Sequence, residues 1–301
     1  MDPITRAATS LKGLAVGDCF GETYFITPDL VESLIEQRAL RDRQWNYTDD
    51  TNMALSIFSV LRQYGRIDQD ALAQSFAVRY DSGRGYGPAM HRLLADIKSG
   101  GACSDCAQRL FEGQGSFGNG AAMRVGPIGA FFWDDIPKAT EEATRSAVIT
   151  HAHDEAIAGA IAVAVATARA SQLRETNGKP DRVEFLDFVF SHLPDSEVRS
   201  KIRQARDMSN TASVAFAVSV LGNGVGVSAQ DTVPFALWCA SRHLNDYEEA
   251  LWLTVSGLGD RDTTCAIVGS IVVMMTGVEK IPSDWQKFSE PLPEWPFSEC
   301  S

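Results

Sequence analysis

Two carboxylates stand side by side in YTDDTNMAL, where Asp49 and Asp50 lie between Thr48 and Thr51, directly ahead of an apolar run. The pattern recurs far along the chain in GLGDRDTTCAIVG, where Asp260 and Asp262 precede Thr263 and a second apolar run. DTNMA (50–54) and DTTCA (262–266) share the order D-T-x-x-A. Asp and Thr are favoured helix N-caps, and acids in a first turn are stabilised by the helix dipole, each by ~1 kcal/mol. One Asp suffices for a cap, however, and four aspartates at two helix entrances repel one another. Mg²⁺ or Mn²⁺ takes hard oxygen ligands in octahedral geometry, which carboxylates and threonine hydroxyls supply. Two such cations a few ångströms apart need about this many carboxylates. Spacing alone leaves both the cap and the metal site open.

Other segments carry chemistry of their own. EGQGSFGNGAAMRVGPIGA (112–130) places Gly113, Gly115, Gly118 and Gly120 ahead of AAMR, and so little side chain lets backbone N–H groups approach an anion such as a diphosphate. It matches neither the P-loop nor the dinucleotide fingerprint, and a merely flexible loop is the alternative. In SGRGYGP (82–88), Tyr86 is placed either to stack on a base or ribose or to pack as a turn residue. ITHAHDEAIAGAIAV (149–163) sets His151 and His153 two apart at the mouth of an apolar segment. Zinc-binding pairs on a helix stand three or four apart, so the choice is between a helix-entry histidine bonded to backbone and a substrate contact. His153-Asp154 superficially matches HD-type phosphohydrolases, but the upstream histidines these need are missing save His91. In GLAVGDCFGETYF (13–25), Asp18 and Glu22 share a face if the segment is helical, and their apolar neighbours point to partial burial.

These residues need elements to hold them, and the periodicity is helical throughout. Apolar residues recur at three- and four-residue steps in 30–40, 52–65, 69–80, 88–100, 182–193, 196–208, 232–244 and 246–259. Segments 155–170 and 264–276 are apolar nearly all round and belong at the centre of a bundle, where their Ala and Gly allow close helix approach. The polar stretch 171–182 reads as a surface loop between central helices, so one all-α domain over 1–301 is expected. A chain of 301 residues that is 45% hydrophobic has material for a large core.

Net charge −12 argues against a sequence-independent grip on nucleic acid or an anionic membrane. The six cysteines have no disulfide-framework spacing, and the single CxxC, Cys103 with Cys106, lacks a second pair for zinc. No signal peptide is evident, and the apolar stretches 156–168 and 265–277 fall short of the ~20 residues a membrane span needs. The expectation is a soluble, cytoplasmic protein acting as a monomer.

GLAVGDCFGE, YTDDTNMAL, RGYG, GNGAAMR, THAHDEAIAGA and GLGDRDTTCAIVG, in this order from residue 13 to about 277, resemble the ADP-ribosylglycohydrolase family, which includes the dinitrogenase-reductase-activating glycohydrolase. The resemblance implies an orthogonal all-α fold with a binuclear Mg²⁺ or Mn²⁺ centre at the base of an ADP-ribose cleft. By motif match it implies metal ligands at Thr48, Asp49, Asp50, Asp260, Asp262 and Thr263. It implies ligand contacts at Gly85, Tyr86, Gly87, Gly118, Asn119, Gly120, Met123 and His151. Many members carry a glutamate four residues after the second glycine of GDxxG. Here that place is Phe25, and the nearby acid is Glu22, about one turn earlier on the same face if the helix continues.

The implied activity is metal-dependent hydrolysis at C1″ of ADP-ribose, releasing it from a modified protein or a small adduct, with Glu22 or Asp49 moving the proton. The competing readings are a non-catalytic ADP-ribose binder or toxin-immunity protein, and a metal phosphohydrolase acting on the diphosphate.

Overall fold

The computed structural model describes residues 1–101, 107–108 and 110–298, apart from the side chains of residues 28 and 29; Cys103, Cys106 and Cys300 lie outside it. Among the described residues there are fifteen α-helices and no strands. They are α1 (Pro3–Glu22), α2 (Pro28–Glu36), α3 (Asp49–Tyr64), α4 (Gln69–Arg79) and α5 (Pro88–Lys98), then α6 (Gly126–Phe131), α7 (Ile136–Ala147) and α8 (Asp154–Glu175). Next come α9 (Arg182–Ser191), α10 (Glu197–Asp207), α11 (Val214–Leu221), α12 (Ala229–Arg242), α13 (Tyr247–Val255), α14 (Arg261–Thr276) and α15 (Ser283–Phe288). The expected all-α class holds.

Every segment read as helical has its helix. Helices α6 and α15 are six residues each, too short to display a period. The sequence of α11, VAFAVSVL, is apolar all round and reads equally as strand or helix. One expectation needs correcting. The loop placed at 171–182 is shorter, because α8 continues to Glu175. At 22 residues, α8 has the length and apolarity to cross a membrane, yet 83% of its most apolar window is buried inside the protein.

The closest packing joins α1 to α14. Gly13, Gly17 and Gly21 recur every fourth residue of α1 and so line one face of it. A Cβ on each would lie 2.4, 2.2 and 2.2 Å from the carbonyl oxygens of Gly269, Cys265 and Arg261 on α14. The two backbones therefore run antiparallel in direct contact, an approach that any side chain would prevent. Small residues do the same work elsewhere: a Cβ on Gly129 of α6 would meet the Ala164 carbonyl of α8 at 2.1 Å.

An aromatic cluster fixes the far end of α1. Phe20 stacks on Trp285 at 4.2 Å and meets Trp252 edge-on at 5.0 Å. Trp45 joins this cluster, and its backbone pairs with the C-terminal segment: its N–H donates to the Phe288 carbonyl and its carbonyl accepts from Glu290 N–H, both at 2.8 Å. The chain entering α3 is thereby held against α1.

Replacing Gly17 with alanine is expected to cost about 1–3 kcal/mol, because its Cβ meets backbone that cannot swing away. Thermal denaturation of Gly17→Ala beside Ser33→Ala, an exposed site on α2, checks this; equal melting temperatures would contradict the close-approach account.

Candidate metal centre and ligand cleft

The two DT motifs arrive at the mouths of adjacent helices, as their sequences suggest, but their caps differ from the simple reading. Thr48, not an aspartate, is the N-cap of α3, and its hydroxyl accepts the N–H of Asp50 at 3.4 Å. Asp260 is the N-cap of α14 by position but makes no side-chain cap bond. The carboxylates of Asp49, Asp50 and Asp262 are thus not consumed by capping.

Asp18, one helical step from Gly17, completes the group. One oxygen from each of Asp18, Asp50 and Asp262 lies within 4.8 Å of the others. Asp18 and Asp50 are buried, while Asp49, Asp260 and Asp262 are partly exposed. Asp18 accepts from Thr48 N at 2.9 Å, Thr48 Oγ1 at 2.9 Å, Thr51 N at 3.1 Å and Thr51 Oγ1 at 2.5 Å. Its oxygens are largely spent on threonines, so it acts as the group that orients Thr48 and Thr51.

Asp50 and Asp262 are left differently. Asp50 Oδ1 and Asp262 Oδ1 are buried with no hydrogen-bond partner. Thr48 Oγ1 lies 2.9 Å from both Asp18 Oδ1 and Asp50 Oδ2, yet it has a single proton to give. Thr263 Oγ1 approaches the same Asp50 oxygen at 3.5 Å. Among the described residues no lysine or arginine pairs with any of the five aspartates.

Burial and mutual repulsion leave their mark on titration. Burial raises Asp18 to about 6, and burial with the Asp18 charge raises Asp49 to about 7, against an ordinary 3.8. Asp50 and Asp262 rise well above that value, first from burial and then from their aspartate neighbours. Orphaned oxygens, hard oxygen donors and absent protein counter-charges fit divalent cations held by Asp49, Asp50, Asp260 and Asp262 with Thr48 and Thr263.

Part of the cluster borders a cleft of about 710 Å³. Asp49, Asp260, Asp262 and Thr263 reach it, and so do all eight residues expected to touch a ligand: Gly85, Tyr86, Gly87, Gly118, Asn119, Gly120, Met123 and His151. Gly85 has φ +86°, which favours glycine, and a Cβ there would sit 3.9 Å from Asp49 Oδ1. Tyr86 is neither a free stacking platform nor a surface turn residue. It is buried, packs edge-on against Tyr80 at 5.0 Å, and its hydroxyl accepts from Asn52 Nδ2 at 2.8 Å. Asn119 Nδ2 donates to Asp260 Oδ2 at 2.7 Å and to Thr232 Oγ1 at 3.0 Å, fixing one metal-side carboxylate to the glycine loop.

Gly118 and Gly120 serve space rather than an unusual φ. A Cβ on Gly120 would collide with His151 Cε1 at 2.7 Å, and one on Gly118 would lie 3.2 Å from His151 Nε2. His153 takes the backbone-bonded alternative: it caps α8, with Nδ1 accepting from Glu155 N at 3.1 Å.

Glu22 lies elsewhere. It lines a second cavity of about 470 Å³ with Thr48, Arg84 and Glu290, and this cavity shares Gly85 and Asp262 with the larger cleft. Burial, followed by the Asp18 charge, raises its pKa. The helical equivalence of Glu22 and Phe25 fails, because α1 ends at Glu22, where Thr23 Oγ1 donates back to the Phe20 carbonyl at 2.7 Å. Phe25 is exposed, and the Arg261 guanidinium lies 4.3 Å above its ring.

The profile of the family described as ADP-ribosylglycohydrolase matches residues 1–294. The human protein named ADP-ribosylhydrolase ARH3 is 29% identical, with 95% of this chain and 90% of that protein aligned. The Xenopus tropicalis protein of the same name is 31% identical over 95% of this chain and 91% of its own length. A solved structure titled ADP-ribosylglycohydrolase-related protein complex superposes with a TM-score of 0.66 at 22% identity, covering 96% of this chain and 93% of that one; it speaks for the fold.

In metal-free protein each raised carboxyl keeps its proton to higher pH when folded than when unfolded. The cluster's contribution to stability is therefore full below about pH 4 and is lost as pH rises through about 6 and 7, the folded values of Asp18 and Asp49. Melting temperatures in EDTA should fall across that window more steeply for the wild type than for Asp50→Asn, and millimolar Mg²⁺ or Mn²⁺ at pH 8 should restore them. Binding should release protons, seen as buffer-dependent calorimetric heats. Parallel pH profiles with no cation effect would contradict the assignment.

Proposed function

The chain belongs to the ADP-ribosylglycohydrolase family, and from that membership we propose that it is a divalent-cation-dependent hydrolase cleaving the C1″ bond of ADP-ribosyl adducts to release ADP-ribose. The observation that carries this reading is a carboxylate cluster with buried, unpartnered oxygens on Asp50 and Asp262, of which Asp49, Asp260 and Asp262 reach a cleft of about 710 Å³. That volume suits a ligand the size of ADP-ribose.

Two divalent cations would be held by Thr48, Asp49, Asp50, Asp260, Asp262 and Thr263. When bound, they supply Lewis-acid charge stabilisation and lower the pKa of water at the reacting carbon. The protein's own residues do the rest. The 82–87 and 116–123 loops hold the ligand and orient its ribose over the carboxylates, which is a contribution of positioning. Asn119 keeps Asp260 turned toward that cleft. Asp49, on the cleft side of the cluster, and Glu22, on the side of the smaller cavity, are the two acids that move protons. Glu22 reaches the site through the smaller cavity, which borders Asp262 and the 82–87 loop at Gly83, Arg84 and Gly85. The ARH3 proteins are named for ADP-ribosyl hydrolysis, and that activity is carried over here.

Incubation with ADP-ribosyl-serine and ADP-ribosyl-arginine peptides should yield ADP-ribose in the presence of Mg²⁺ or Mn²⁺, with loss of product in EDTA and in Asp262→Ala. Binding of ADP-ribose without cleavage of any adduct would favour a binding protein, and AMP with ribose phosphate as products would mark a phosphohydrolase. Glu22→Gln should lower kcat by about 10²–10⁴-fold while leaving the Kd for ADP-ribose unchanged, because Glu22 does not line the larger cleft.

A further inference from the structure

Arg124 is fully buried beneath the cleft, yet it forms no ion pair among the described residues. Its guanidinium lies 4.6 Å from the centre of the Phe76 ring, and its Nε has no partner. What it does contact is specific: Nη2 donates to the Ser146 carbonyl at 2.8 Å and to Thr150 Oγ1 at 2.9 Å. Thr150 Oγ1 in turn lies 2.7 Å from His151 Nδ1.

Donor counting fixes the direction of this chain. A guanidinium has only donors and stays charged, so Thr150 Oγ1 must accept from it. The hydroxyl's one proton then has His151 Nδ1 as its only other partner among the described residues. If Nδ1 carried a proton, that hydroxyl hydrogen would be stranded in a fully buried position. Nδ1 is therefore the acceptor, and the imidazole proton sits on Nε2. Burial, reinforced by Arg124, pulls the His151 pKa down to about 3, so the ring is neutral. The Nε2 edge lies against Gly118 and Gly120, where the cleft is lined.

We infer that Arg124 and Thr150 are positioning residues that lock His151 into the Nε2–H tautomer, presenting a neutral hydrogen-bond donor to an acceptor oxygen of the bound ligand. A donor fixed in this way selects ligands with an oxygen acceptor at that point and disfavours those presenting an N–H or cationic group there. The identity of the ligand as ADP-ribose rests on the function proposed above; the tautomer does not. Bare glycines at 118 and 120 are part of the device, since a side chain at either would press on the ring.

The test is long-range ¹H–¹⁵N correlation on ligand-free protein labelled at its histidines, with His151 assigned by substitution, together with ADP-ribose titration. The wild type and Thr150→Ser should both show the proton on Nε2 and bind ADP-ribose within about threefold of each other. Thr150→Val should lose the tautomer preference and bind about tenfold more weakly. A wild-type proton on Nδ1, or a Thr150→Val protein with unchanged tautomer and affinity, would overturn the inference. If Thr150→Val does not fold, the wild-type and Thr150→Ser spectra decide. Failure of the wild type to bind ADP-ribose would remove the functional reading, while the tautomer would still judge the relay.

Discussion

Everything at the site depends on how closely α1 and α14 approach. Three glycines on one face of α1 rest on three carbonyls of α14, and no side chain separates the helices. Asp18 follows the second of these glycines and Asp262 follows the carbonyl that faces the third. At an ordinary helix separation of 8–10 Å these carboxylates would stand too far apart to share a small cation. The backbone contact thus sets the size of the centre. The Phe20–Trp285 stack and the pairing of Trp45 with the C-terminal segment then hold the α3 motif in the same place.

Concentrating five carboxylates at one point is costly without a counter-charge, and the protein divides the burden unevenly. Asp18 is satisfied by Thr48 and Thr51 and serves as scaffold. Asp50 and Asp262 each keep an oxygen with no partner, and those oxygens are what a cation would find. The buried Arg124 donates to Ser146, Thr150 and Met53 Sδ and to none of these carboxylates. On the function proposed here, one side of the cleft would hold cations and the other would meet the acceptor oxygens of a ligand.

Much of this was legible in the sequence. Helical periods mark α2 to α5, α8 to α10 and α12 to α14, whereas α7 is not marked and α1 is helical only conditionally over 13–25, and the repeated D-T-x-x-A pattern links the two acidic motifs across two hundred residues. The glycine spacing in GLAVGDCFG is equally legible, since a glycine every fourth residue is a sign of backbone contact along one helix face. The role of Asp18 could not be read locally, since its partners Thr48 and Thr51 come thirty residues later on another helix. Tyr86 also depends on a distant residue, Asn52, for its hydroxyl bond. The proposed one-turn equivalence of Glu22 and Phe25 failed because the end of α1 is set by a threonine bonding back to its own helix, a detail that periodicity does not carry. Short helices such as α6 and α15 were invisible because six residues hold less than two turns.

Glycine-mediated helix contact, on this reading, assembles a divalent-cation centre beside a ligand cleft. Anomalous diffraction from crystals soaked in Mn²⁺ tests it most directly. Two peaks coordinated by Thr48, Asp49, Asp50, Asp260, Asp262 and Thr263 are expected, with Asp18 still bonded to its threonines. Absence of peaks at this cluster, or Mn²⁺ held by Asp18 in place of Asp50 and Asp262, would contradict it.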